Sequence, residues 1–234
     1  MSNEFDDLLD GIDGQVETPH EEKQNHPTGG YSRNKKKFDP FKDEITPKEV
    51  DVDSLMRFNR MFTVVTHGDV PDDTMNIIEA FCRKLIEKGF TYRYDGDARS
   101  KASLLAYTAS KQRSEIFLPW KKFNTDVDAT LAYPKEDAYR IGAFYHTKLN
   151  DLAGPVKGFI ARNVHVLLGG ELNTPLSLLI CYTEDGSEVT KGMDYKKAGN
   201  ASFFIRVCED LDIPVFNMKQ PDAKERLIEY IKSL

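Results

Sequence analysis

The sequence predicts an α/β protein with a parallel sheet of about five strands and helices on both faces. Short apolar runs alternate with amphipathic segments of helical period from residue 51 onward, and this alternation implies βαβ crossovers. The run 176–182 is apolar at nearly every position, which is typical of a strand buried on both faces of a parallel sheet. It ends in a polar turn with a glycine, so the predicted fold is Rossmann-like, with a crevice at the carboxyl edge of the sheet.

The predicted strands are short apolar or β-branched runs that end at turn residues. They are residues 61–66, 90–94, 115–118, 176–182 and 213–216. The first ends at His67-Gly68, the second at Asp95-Gly96 and the third at Pro119. Glycine and proline at these points interrupt an extended pattern and mark the strand ends.

The predicted helices show apolar residues at a spacing of three and four. They are residues 71–89, 98–111, 134–145, 149–168, 198–210 and 221–233. Pro71 opens the first and Gly89 closes it, which is the usual placement of these two residues at helix ends. Gly154-Pro155 divides the fourth into two pieces.

Charge separates the chain into a tail, residues 1–50, and a folded domain, residues 51–234. The net charge is −6, yet the tail holds 12 acidic and 7 basic side chains while the remainder holds 26 and 25. The tail also lacks a sustained apolar period and is predicted to be mostly disordered. A nearly neutral domain argues against a protein that coats duplex DNA without specificity.

The three cysteines and the apolar runs bear on location. Three is an odd number and no Cys-x-x-Cys spacing occurs, so neither a disulfide framework nor a zinc site is indicated. We interpret the cysteines as buried packing thiols of a protein in the reducing cytoplasm. No apolar run reaches the length of a membrane span, and the acidic N-terminus is unlike a signal peptide.

The tail contains two segments with a candidate role. Phe5, Leu8, Leu9 and Ile12 follow a helical spacing among acidic residues, which suits docking into a partner's groove; the alternative is a solubilising tail with chance spacing. Lys35, Lys36 and Lys37 lie between aromatic residues, which suits contact with nucleic acid; the alternative is a solvated linker.

Basic and aromatic residues also interleave in the predicted domain, as a groove for single-stranded nucleic acid requires. The candidates are Arg93, Arg99, Ser100, Lys101, Trp120, Lys121, Lys122, Lys148, Arg162, Lys196 and Lys197. The turn at Arg99-Ser100-Lys101 offers donors and cations for phosphate at a predicted helix start. The alternatives are a solvated helix start for that turn and partial burial under a loop for Trp120.

A second set of candidates lies where predicted strands end at the carboxyl edge. These candidate nucleotide-binding residues are His67, Gly68, Thr183, Asp185, Gly186, Thr190, Gly199 and Asn200. His67 suits an acid or a base, or simply a hydrogen-bonded turn residue, and Glu184 and Asp185 suit acid, base or ribose-binding roles in an enzyme. The histidine spacing predicts no metal site, and no cofactor is predicted.

The order of these pieces resembles the SLOG superfamily of Rossmann-like proteins, which includes DNA-processing protein A (DprA), and especially DprA-like proteins of bacteriophages. The resemblance covers roughly residues 60–218 and is carried by residues 66–68, 97–100, 115–120, His146 with 148–149, 161–169, 180–186, Thr190, 199–201, Arg206 and 213–217. The family's glycine-rich Ser-Gly-Gly turn is here Arg99-Ser100-Lys101, and the Pro-Gly-Gly-x-Gly-Thr-x-x-Glu motif of related phosphoribohydrolases is absent.

The resemblance implies binding of nucleotides, nucleotide-derived signals or single-stranded DNA at the crevice, and the missing motif favours binding over hydrolysis. The acidic N-terminus is similar to the partner-recruiting tails of single-stranded-DNA-binding proteins. We therefore expect a phage protein that binds single-stranded DNA and recruits RNA polymerase or replication proteins, as do phage RNA polymerase cofactors of the Drc type. The alternatives are a nucleotide or nucleotide-sugar sensor or a nucleosidase-like enzyme, and an adaptor with a vestigial crevice. The oligomeric state stays open.

Overall fold

The computed structural model describes residues 38–56, 59–110 and 113–233. Its strands are β1 Met61–Thr66, β2 Thr91–Tyr94, β3 Ser114–Ile116, β4 Leu178–Tyr182 and β5 Val215–Asn217. Its α-helices are α1 Asp72–Glu87, α2 Lys101–Ser110, α3 Glu136–Tyr145, α4 Gly154–Leu168, α5 Tyr195–Ala198, α6 Ala201–Asp210 and α7 Ala223–Ser233. The strands form one parallel sheet in the order β3-β2-β1-β4-β5. The predicted α/β fold with a Rossmann-like sheet is confirmed.

Alternation along the strands divides the core between the two faces of the sheet. Phe62 and Val64 of β1 pack with α1, α2 and α7, whereas Val65 packs with α3, α4 and α6. Every residue of β4 is buried, because helices cover both of its faces. The sequence of β4 therefore reads as a continuous apolar run rather than an alternating one.

The strand order creates a switch point between β1 and β4. From β1 the chain proceeds outward to β2 and β3, and it then crosses to β4 and β5 on the other side. Thr66 and Tyr182, the last residues of the two central strands, are paired neighbours. Connections that leave in opposite directions from adjacent strand ends open a crevice, the usual ligand position in such sheets.

Two helices begin or divide at points that the apolar spacing does not show. The predicted helix 98–111 begins only at Lys101, because the Asp95 and Asp97 side chains accept backbone N–H groups of the preceding turn. The predicted helix 198–210 is instead α5 and α6, divided at Gly199, whose φ is +49°. A left-handed φ interrupts the helix and favours glycine.

Residues 38–50 belong to the folded unit, which corrects the boundary predicted between residues 50 and 51. Ile45 is 1% exposed and joins the core beside α3 and α4. The Asn150 side chain accepts a hydrogen bond from the Ile45 N–H at 2.9 Å and donates one to the Ile45 carbonyl at 3.1 Å. Residues 1–37 lie outside the described residues.

Two further expectations concern the cysteines and the membrane. Cys82, Cys181 and Cys208 are buried free thiols, as predicted, and burial raises the pKa of each. Among the described residues, no helix combines the length and apolarity needed to cross a bilayer.

Candidate functional site

The turns after β1 and β4 meet the start of α6 in a space we call the switch-point crevice: His67, Gly68, Glu184, Gly199 and Asn200. A side chain at Gly68 would bring its Cβ within 2.7 Å of Glu184 Oε1, and one at Gly199 would overlap the His67 ring. Both glycines have positive φ, +85° and +49°. Only glycine fits at either position, so the two turns bring the His67 and Glu184 side chains to the same crevice.

Helix α4 connects the crevice to the turn after β2. Asn163 Nδ2 donates to Asn200 Oδ1 at 3.3 Å, and Arg162 Nε donates to Asn163 Oδ1 at 3.0 Å. The Arg162 guanidinium also donates to the Asp95 carbonyl and lies 3.6 Å from the Asp95 carboxylate. Burial raises the pKa of Asp95, and Arg162 partly offsets that rise.

An aromatic cluster, composed of Trp120, Phe123 and Phe159, lies beside this arginine. The ring centroids are 5.2 Å apart for Trp120–Phe123 and Trp120–Phe159 and 5.5 Å apart for Phe123–Phe159. All three rings are only partly buried. They meet at interplanar angles of 54° to 87°, an arrangement that aromatic pairs prefer to direct face-to-face contact.

Three contacts fix the aromatic cluster at the carboxyl edge. Trp120 lies four residues after the end of β3, and a Cβ at Gly158 of α4 would lie 3.7 Å from the Trp120 ring. Asn124 Nδ2 donates to the Gly96 carbonyl, in the turn after β2, at 2.9 Å. The Arg162 guanidinium carbon lies 5.4 Å from the centroid of Phe159. Cluster and crevice are therefore joined through Arg162 along one edge of the sheet.

The turn after β4 directs its polar groups inward. Asp185 accepts hydrogen bonds from Thr183 Oγ1 at 2.6 Å, from the Ser187 hydroxyl, and from the Asp194 N–H at 3.0 Å. Burial alone would raise the pKa of Asp185, but these hydrogen bonds outweigh it and lower the pKa. Thr183 is fully buried and also accepts from Asn217 Nδ2 at 2.7 Å. The expectation that Thr183 faces a nucleotide is corrected, because Thr183 is buried. The Asp185 carboxylate holds this turn together.

Gly186 and Thr190 likewise serve the loop after β4. The Gly186 carbonyl accepts from Gln220 Nε2 at 2.7 Å. Thr190 donates through both its hydroxyl and its N–H to Glu209 of α6, at 2.6 and 2.8 Å. Of the predicted nucleotide-binding residues, the structure thus brings together His67, Gly68, Gly199 and Asn200. Glu184, predicted for an acid, base or ribose-binding role, lies with them.

Arg93 is part of the core and not of a nucleic-acid surface, which corrects its predicted role. Its side chain is 1% exposed, and Nε donates to Glu115 at 2.8 Å. Its Nη1 donates to the carbonyl of Leu167, near the end of α4, at 3.3 Å and to that of Thr174, in the loop that follows, at 2.6 Å. Burial lowers the pKa of Arg93, and Glu115 opposes that change. Arg162 is likewise buried, at 3% exposed. It packs against the Phe123 and Phe159 rings and does not present its guanidinium to a phosphate at the surface, which corrects its predicted role.

The turn after β2 holds its own cation. Arg99 is exposed and donates two hydrogen bonds of 2.9 Å to the Asp97 carboxylate. The Asp97 hydrogen bond raises the pKa of Arg99. Ser100 Oγ accepts from the Ser103 N–H at 3.3 Å, and Lys101 is exposed at the start of α2. Arg99 is therefore already paired, whereas Lys101 extends into solvent.

The other predicted lysines of the domain are all exposed, in three separate segments. Lys121 and Lys122 follow Trp120 directly. Lys196 and Lys197 lie on α5, which contacts the β4 turn because the Glu184 N–H donates to the Lys197 carbonyl at 3.2 Å. Lys148 is exposed after α3. The tail candidates Lys35, Lys36, Lys37, Phe5, Leu8, Leu9 and Ile12 lie outside the described residues.

Four members of this edge were not among the predicted site residues, although two of them lie in predicted candidate runs: Asp95, Phe123, Phe159 and Asn163. Phe159 and Arg162 are three residues apart on α4, a spacing that places two side chains on one helix face. That spacing could have predicted that Phe159 lies beside Arg162. The described residues contain no group of three or more potential metal ligands. In comparisons with known proteins, no family model, curated protein or solved structure matches this chain.

Proposed function

We propose that the protein binds single-stranded DNA along the carboxyl edge of the sheet and that its acidic N-terminal segment recruits replication or transcription machinery. The aromatic cluster is the observation that carries this proposal. Three partly buried rings lie together at the carboxyl edge of the sheet, and nucleobases stack on such rings with about 1–3 kcal/mol each. The proposed site of action is the cytoplasm.

Ring stacking requires unpaired bases, since duplex bases are already stacked on one another and paired. Lys121 and Lys122 are exposed beside Trp120 and supply the cations for the backbone of the strand. Asp126 and Asp128 follow in the same loop, so the positive charge is confined to the lysine pair. A preference for single strands over duplex and a modest salt dependence both follow from this arrangement.

Fluorescence anisotropy of the full-length protein with a labelled oligonucleotide, single-stranded or annealed to its complement, tests the proposal. We expect the single strand to bind more tightly and its affinity to fall with salt at a log–log slope of about −1.4, as two phosphate contacts give. Trp120 is the only tryptophan, so binding at the cluster also quenches the intrinsic fluorescence. Equal affinity for both forms, with unchanged tryptophan emission, would contradict the proposal.

A nucleotide or nucleotide-sugar ligand in the switch-point crevice is the second candidate. The observation in its favour is that the His67, Glu184 and Asn200 side chains meet at the crevice, since polar side chains at a switch point suit a nucleotide. The resemblance to the SLOG superfamily points to the same ligand class. A thermal-shift screen of mononucleotides discriminates: stabilisation that grows with concentration and disappears in Glu184→Gln supports this candidate.

A further inference from the structure

The described chain begins against α3 and the start of α4. Phe38 packs its ring edge-on against Tyr139 of α3, with centroids 5.8 Å apart. Phe41 lies directly against Gly154, the first residue of α4. The N-terminal segment therefore joins the folded domain at the start of α4.

Helix α4 leads from this point to the aromatic cluster in one turn. Gly158, four residues after Gly154, faces Trp120, and the next residue is Phe159. Four residues of α-helix advance about 6 Å. The sequence between Asp13 and Phe38 holds 24 residues, which span up to roughly 80 Å when extended. Chain length therefore permits the first 13 residues to reach the cluster.

The two surfaces are complementary in chemistry. Residues 4–13 carry four apolar side chains at helical spacing and five acidic ones, which are Glu4, Asp6, Asp7, Asp10 and Asp13. The aromatic cluster offers partly exposed rings, flanked by the exposed Lys121 and Lys122. Apolar side chains suit contact with rings and carboxylates suit contact with lysines, as in the docking of an amphipathic segment.

We propose that residues 4–13 dock on the aromatic cluster of the same chain. Docking within one chain needs little intrinsic affinity, because a tether of this length gives an effective concentration of about a millimolar. Insofar as the cluster binds single-stranded DNA, a point that rests on the proposed function, the segment and the strand compete for the same rings. DNA binding then releases the acidic segment, which becomes available to a partner only on a loaded strand.

The test uses the full chain with Leu8→Ser and Leu9→Ser together. Trp120, as the sole tryptophan, reports on the cluster before any DNA is added. We expect its emission to move to longer wavelength in the variant, because removing the apolar contact exposes the indole to water. We also expect oligonucleotide affinity to rise about three- to tenfold at low salt, since the bound strand no longer competes with an effectively concentrated segment.

A matched control removes two apolar side chains from elsewhere on the surface: Leu104→Ser with Val189→Ser, which are 40% and 48% exposed in the wild type. This control should leave both emission and affinity unchanged. Wild-type emission should also be constant between about 0.1 and about 10 μM protein, as an intramolecular contact requires.

The outcomes separate the two proposals. An emission shift in the tail variant without oligonucleotide binding by either protein supports docking and contradicts the proposed function. Unchanged emission overturns docking on the cluster, whatever happens to affinity. A wild-type emission that varies with protein concentration overturns docking in favour of contact between two copies.

Discussion

After β3 the chain leaves the Trp120 and Phe123 rings partly open to solvent beside Phe159 of α4, whereas after β4 it directs a cluster of polar groups into its own turn. Both segments leave the same edge of the sheet, and both contain residues that the sequence marks as candidate ligand contacts. Thr183 and Asp185 have their hydrogen-bonding capacity occupied by Ser187, Asp194 and Asn217. The cluster offers ring surface that its own neighbours do not fully cover. Availability of atoms, and not residue type, distinguishes a binding surface from a structural turn.

Replacing Asp185 tests the structural side of this comparison and should give the largest effect. Asp185→Ala leaves Thr183, Ser187 and the Asp194 N–H without their shared acceptor, so we expect a loss of about 3 kcal/mol in the free energy of unfolding. Urea unfolding measures it. Asp128→Ala, at an exposed carboxylate, is the control. A destabilisation no greater than that of the control would show that the network does not hold the turn.

A pH titration examines the core-facing side of α4, the helix that presents Phe159 to the cluster. His165 is 1% exposed; its Nε2 accepts from the Lys135 N–H at 3.0 Å and its Nδ1 lies 2.9 Å from the Gly169 carbonyl. Burial lowers its pKa from 6.5 to about 4. Below pH 6.5 the unfolded chain takes up a proton that the folded protein does not, so stability falls as the pH drops towards 4.

The expected loss is up to about 3 kcal/mol, obtained from urea unfolding at pH 7, 5.5 and 4.5. His165→Gln is the control, since glutamine does not titrate and that part of the pH dependence should disappear. An identical pH dependence in the two proteins would mean that His165 is not the responsible group.

Removing the tryptophan tests the binding side of the comparison. Trp120→Ala should weaken single-stranded DNA binding by about 2 kcal/mol, or roughly 30-fold, through the loss of one stacking surface. Trp120→Phe keeps a ring and should retain most of the affinity. The measurement is fluorescence anisotropy, with urea unfolding to establish that both variants remain folded. If alanine and phenylalanine behave alike, stacking at residue 120 is not the source of affinity.

The lysine pair provides a smaller electrostatic effect. Lys121→Ala and Lys122→Ala should each reduce the slope of log affinity against log salt by about 0.7, one phosphate contact apiece. Lys88→Ala removes an exposed lysine after α1, at the opposite edge of the sheet, and should leave the slope unchanged. A slope that is the same in all three variants would exclude the lysine pair from the interface.

Arg99 should give the smallest effect, although the sequence marks it as a phosphate contact. Its guanidinium already binds Asp97 through two hydrogen bonds, and exposed pairs of this kind contribute little to stability. We expect Arg99→Ala to change DNA affinity by less than about 0.5 kcal/mol. A loss as large as that of Trp120→Ala would show that Arg99 exchanges Asp97 for the strand.

The fold was predictable because burial leaves a period in the sequence. β1 occupies the predicted residues, and β4 is recognised from its uninterrupted apolar run. Ile45 was missed because a single apolar residue in a polar stretch has no period. The division of α5 from α6 was missed because it depends on the backbone of Gly199, which apolar spacing does not report.

The candidate site was harder to predict, because its members come from distant parts of the chain. Arg93 and Trp120 look alike in the sequence, because each lies in a run that mixes basic and aromatic residues. In the structure, strand alternation buries Arg93, while the loop after β3 leaves Trp120 partly accessible. The alternation Tyr92-Arg93-Tyr94 contained the signal, since neighbouring residues of a strand point to opposite faces. The pairing of Phe159 with Trp120 crosses from α4 to a loop, and no local pattern encodes it.

The two-sided hydrogen bonding of Ile45 by Asn150 determines how the protein can be engineered. Fusion partners, affinity tags or protease sites placed ahead of residue 38 leave that anchor in position. The same insertions between residues 39 and 50 would break the hydrogen bonds between Ile45 and Asn150 and remove Ile45 from the core beside α3 and α4. A limited-proteolysis fragment that starts near residue 38, and not near 51, is the expected smallest stable piece.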